Sequence, residues 1–79
     1  MIKVSNNQEF RSNTKATTRD ASGVRVTLGS GSAKLQIETP DGWVDEKIFT
    51  TSGSSVFQYG RGGHNFRFVL TGNATAYLL

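Results

Sequence analysis

The stretch that most constrains this chain runs from Ala33 to Phe49, AKLQIETPDGWVDEKIF. Ala33, Leu35 and Ile37 alternate with Lys34, Gln36 and Glu38, which is the period of a strand with one buried face. Thr39-Pro40-Asp41-Gly42 follows. Pro fixes its own φ, Asp can bond the local backbone, and Gly accepts a positive φ, so these residues turn the chain. Trp43, the only tryptophan, opens the return strand. The stretch reads as a β-hairpin, and a large aromatic beside a tight turn is expected to anchor a small β core. The return strand then loses its simple alternation. Trp43 and Phe49 share one parity, while Val44 and Ile48 share the other. Such a strand is either covered on both faces or carries a bulge that shifts its parity.

The remaining sequence supplies more segments of the same kind. Ile2 and Val4 suggest one short strand, and Phe10 a second. Val24, Val26 and Leu28 alternate with Arg25 and Thr27. Val56-Phe57-Gln58-Tyr59 and Asn65-Phe66-Arg67-Phe68-Val69-Leu70 read as strands between glycine-bearing turns. Ala74-Thr75-Ala76-Tyr77-Leu78-Leu79 reads as a last strand. No segment holds a helical period. Seven or eight short strands at this spacing predict an all-β fold: a single small antiparallel sandwich, a jelly-roll-like arrangement or a small barrel. Short connections suggest a meander from Val24 onward. The expected core is Val24, Val26, Leu28, Leu35, Ile37, Trp43, Phe57, Phe66, Phe68 and Leu70.

Seventy-nine residues make one small domain. A core of that size is marginal, and such domains often gain stability from disulfides, metals or partner subunits. The chain has no Cys and one His, so disulfides, thiolate zinc sites and His-rich sites are excluded. Assembly is the remaining route. Ser, His and acid partners stand at no catalytic spacing, so no enzymatic activity and no cofactor is expected. Gly29-Ser30-Gly31 lacks the helix that a phosphate loop requires. The acids Asp41, Asp45 and Glu46 do not match a calcium loop. No apolar run is long enough for a helical membrane span, and the first ten residues show no apolar signal core. This is expected of a chain made in a cytoplasm.

Residues 1–22 are polar, and residues 23–79 carry most of the apolar pattern. The expected division is an N-terminal arm followed by a β body. The arm is either a frayed terminus or a segment that orders on a neighbouring surface. Lys3, Arg11, Lys15 and Arg19 would be its partner-binding residues. The net charge of +3 permits an acidic partner without requiring one. Arg61-Gly62-Gly63, with Phe57, Tyr59, Phe66, Phe68 and Arg67, could form a stacking platform for single-stranded nucleic acid. The same aromatics are what a core of this size needs, and the small charge excess disfavours that reading.

The segment from Ala33 to Glu38, the step Gly42-Trp43-Val44-Asp45, the Gly-rich loop and the ending Asn65-Phe66-Arg67-Phe68-Val69-Leu70-Thr71-Gly72-Asn73-Ala74-Thr75-Ala76-Tyr77-Leu78 carry a resemblance. Over roughly residues 23–79 the chain resembles small all-β virion proteins of tailed bacteriophages. The resemblance implies a capsid decoration (cement) protein located in the virion. Its partners would be copies of itself, a trimer being favoured, and the major capsid protein or another virion protein. The alternative is a tail or fibre module that binds a host glycan, with Trp43, Tyr59 and Tyr77 as stacking residues.

Overall fold

The computed structural model describes residues 2–11, 22–57 and 64–78. They form eight strands and no helix: β1 (Ile2–Val4), β2 (Glu9–Arg11), β3 (Ser22–Thr27), β4 (Ser32–Thr39), β5 (Gly42–Phe49), β6 (Gly53–Phe57), β7 (Asn65–Thr71) and β8 (Thr75–Leu78). One sheet has the order β1-β8-β3-β6 and the other β2-β7-β4-β5. We call them the first and second sheets. Every pairing is antiparallel.

The pairing has a simple rule. β4 pairs with β5, β3 with β6, β2 with β7 and β1 with β8. The chain is one long hairpin centred on the Pro40–Asp41 turn, folded over so that successive pairs alternate between sheets. Contacts of β8 with β3 and of β7 with β4 complete each sheet. This is the strand order of a jelly roll. The expected meander is not found, because only the β4–β5 connection joins two strands of one sheet. The last strand, β8, is interior to its sheet, between β1 and β3.

Alternation along each strand fills the space between the sheets. Val4, Val24, Val26 and Ala76 from the first sheet meet Ala33, Leu35, Ile37, Phe49, Phe66 and Phe68 from the second. Phe10 lies 5.9 Å from Phe66 and 5.8 Å from Phe68, centroid to centroid, and Phe49 lies 6.1 Å from Phe68. Leu28 and Leu70 are half-buried at the margin. The side chain of Phe57 lies outside the described part of the structure.

Trp43 is not a core residue. Leu35 pairs with Lys47 and Gln36 pairs with Asp45, so Glu46 is an extra residue without a partner. This bulge resets the parity of β5. Phe49 turns inward opposite Ala33, while Trp43, opposite Glu38, lies on the outer face and is only half-buried.

The boundary drawn at residue 22 is not where the sheets begin. β1 and β2 are integral, Val4 is 2% exposed and Phe10 packs on the core. Their connection is stitched to β7: Asn7 N–H donates to the Phe68 carbonyl, and Leu70 N–H donates to Asn6 Oδ1. Residues 12–21, the rest of the expected arm, lie outside the described residues.

Two further turns clasp each other. Ser30 N–H donates to Asn73 Oδ1 at 2.9 Å, and Ser32 N–H donates to Thr71 Oγ1 at 3.0 Å. Gly31 lies so close to β7 that a Cβ there would overlap the Thr71 carbonyl oxygen. Only glycine permits that approach.

Candidate interaction faces

Inward alternation of apolar residues leaves each sheet with an outward row of polar ones. On the second sheet the register aligns Glu9, Arg67, Gln36 and Asp45 across all four strands. Arg67 Nε donates to Gln36 Oε1 at 2.8 Å, and Gln36 Nε2 donates to Asp45 Oδ1 at 2.9 Å. Lys34 approaches the same carboxylate at 3.5 Å. The amide of Asn65 donates to Glu9 at 2.6 Å and to Glu38 at 3.2 Å. The Arg67 guanidinium lies 4.3 Å from the centroid of the Trp43 ring. The Gln36 hydrogen bond, followed by the Lys34 charge, holds the Asp45 carboxyl below its ordinary value of 3.8.

The first sheet presents a different row. Lys3, Tyr77, Arg25 and Ser54 align across β1, β8, β3 and β6. Arg25 donates to Ser54 Oγ at 3.0 Å. Thr27 and Thr75 form the neighbouring pair on β3 and β8.

The second sheet has two edges, the three-residue β2 and the eight-residue β5. On β5, Val44 is 43% exposed and Ile48 is 64% exposed. Lys47 lies 5.6 Å from the Phe49 ring centroid, covering part of that edge. A shallow groove beside it follows the β5–β6 connection and is lined mainly by the hydroxyl-bearing residues Thr50, Thr51, Ser52, Ser54 and Ser55.

These positions separate the residues expected to act together. Lys3 is on the outer face of the first sheet and Arg11 is on the second sheet, opposite Asn65. Lys15, Arg19 and Tyr59 lie outside the described residues. Trp43 and Tyr77 belong to opposite outer faces, so they do not share one stacking site. Phe66 and Phe68 are fully buried and offer no platform to a base. Sequence reading assigned no role to Arg25 and did not pair Arg67 with Trp43. The signal was present: each arginine is flanked by two core residues, Val24 and Val26 or Phe66 and Phe68, which forces it outward. Among the described residues no group of three or more His, Asp or Glu could hold a metal ion, and no helix is long and apolar enough to cross a membrane. The chain has no significant match to a protein family, a curated protein or a solved structure.

Proposed function

We propose that the chain is a non-catalytic structural protein of a tailed-bacteriophage virion, a decoration protein that binds the outer capsid shell as an oligomer, a trimer being favoured. The observation that carries this reading is the β5 edge: eight residues long, paired with β4 on one side and with no strand among the described residues on the other, with Val44 and Ile48 exposed. An edge of this kind offers free N–H and C=O groups together with apolar surface. In a domain this small, covering it with another copy adds assembly free energy to folding stability. The bulge and the charged run Asp45-Glu46-Lys47 at mid-strand restrict which register another strand can adopt. The jelly-roll order agrees with this reading by analogy only, since lectin domains use it too.

The test is native mass spectrometry of the purified chain, with co-sedimentation on phage particles. An oligomer that sediments at fixed stoichiometry is the expected result. A strict monomer at high concentration, with no particle association, overturns the reading. A glycan-binding tail or fibre module is the second reading, favoured by the half-exposed Trp43. Arg67 already occupies one side of that ring, so a sugar stacking there must displace it. A glycan array separates the two.

A further inference from the structure

Charge is segregated between the two sheets. The strands of the first sheet contain Lys3 and Arg25 and no acid. Every acid among the described residues, Glu9, Glu38, Asp41, Asp45 and Glu46, lies on the second sheet or in its hairpin turn. On the second face Lys34 pairs with the Asp45 carboxylate, and Arg67 is held by Gln36 and the Trp43 ring. On the first face Lys3 and Arg25 are exposed and flank a half-buried tyrosine, with Arg25 bonded to the Ser54 hydroxyl and no carboxylate on these strands.

We propose that the outer face of the first sheet is a docking surface for an acidic protein, with Lys3 and Arg25 each meeting a carboxylate and Tyr77 packing between them. Lys3 and Arg25 are two strands apart, which sets the partner carboxylates about 10 Å from each other. Tyr and Arg are the residue types that most often anchor protein interfaces. Thr27, Thr75 and Ser54 supply hydroxyls around them, and a four-stranded face is broad enough for a protein surface. A nucleic acid is the weaker match, because phosphate backbones are gripped by denser sets of cations than two. The proposal concerns the face and the chemistry of its partner, and it stands whether or not that partner belongs to a capsid.

The experiment uses the intact chain and two immobilised probes, poly-L-glutamate and oligo-dT. Three variants accompany it: K3Q/R25Q; the charge-conserving K3R/R25K; and R11Q/K34Q on the opposite face. Thermal unfolding establishes that each is folded. The expected result is that K3Q/R25Q weakens poly-L-glutamate binding about tenfold, while K3R/R25K and R11Q/K34Q stay near the original. Retained binding by K3Q/R25Q overturns the proposal, as do equal losses from both faces. Stronger binding of oligo-dT than of poly-L-glutamate by the unaltered chain overturns it in favour of a nucleic-acid surface. Loss of binding in K3R/R25K alone, with K3Q/R25Q intact, also overturns it. Particle co-sedimentation is a separate readout, so failure of the capsid reading leaves this result unaffected.

Discussion

The Arg67 guanidinium lies over the Trp43 ring, 4.3 Å from its centroid, although a whole strand, β4, separates β7 from β5. The contact ties the sheet edge to its centre. Arg67→Lys keeps the charge but loses the planar stack and the Nε–H that donates to Gln36. A double-mutant cycle on Trp43→Ala and Arg67→Ala is expected to give a coupling of about 0.5–1 kcal/mol, the range for an exposed cation–π pair. Urea unfolding measures it. Additive effects would show that the stack contributes nothing.

Phe68 touches both Phe10 and Phe49 and is fully buried. Phe68→Ala should cost about 3–5 kcal/mol. Against a typical total of about 5–15 kcal/mol for a whole domain, that brings a chain this small close to unfolding. Circular dichroism at rising temperature is the check, and an unchanged midpoint would contradict the packing described.

At Gly31 the expectation rests on backbone proximity. A methyl group there meets the Thr71 carbonyl, so Gly31→Ala must push the two turns apart. The loss should be about 1–3 kcal/mol, as for other overpacked sites. Thr71→Val, which exchanges the hydroxyl bonded to Ser32 for a methyl group, should cost less. Chemical denaturation of the two variants side by side gives the order.

Asp45 sets a dependence on acid. Its carboxyl is held below the ordinary 3.8 by Gln36 and Lys34. As pH falls below that value the unfolded chain binds the proton first, so stability drops until the folded form is protonated too. Asp45→Asn should flatten the stability profile in this acid window. The effect is small because the group is at the surface. Denaturant midpoints measured across the acid range decide it, and identical slopes for both proteins would exclude the effect.

The β5 edge gives the assembly prediction. Ile48→Lys places a charge beside free backbone groups, a standard means of blocking strand addition. The variant should stay folded and weaken the proposed self-association by roughly tenfold or more in dissociation constant. Sedimentation velocity over a concentration series reads this directly. An unchanged assembly would move the self-contact elsewhere.

Much of the fold was legible because alternation is a local property. Leu35, Ile37, Phe66 and Phe68 each turn inward with their neighbours turning out, and all four are buried. Trp43 was misread because the parity of β5 depends on the one unpaired residue at Glu46, and nothing local marks which of Asp45, Glu46 or Lys47 is extra. The meander was misread for a related reason. Alternation gives each strand a face but not a neighbour, and the pairing of Ile2 with Leu78 is fixed only by how both ends close over the core. β1 and β2 were legible as short strands at Ile2–Val4 and around Phe10, but with only one or two apolar side chains apiece they read as part of an arm and not as members of the two sheets. The clasp of Asn73 on Ser30 joins turns far apart in sequence, so no local pattern announces it.

The pairing of β1 with β8 also governs the order in which the molecule can form. The β4–β5 hairpin needs only a short loop and can close within microseconds. Each later pair encloses the one before it, so the separation along the chain grows until Ile2 meets Leu78. Topologies dominated by such distant contacts fold slowly. During synthesis the first strand must wait, unpaired, until nearly the last residue described has left the ribosome. Until then β3 also lacks its β8 neighbour. The interval between those events is when this chain is most exposed to proteases and to misdirected strand pairing.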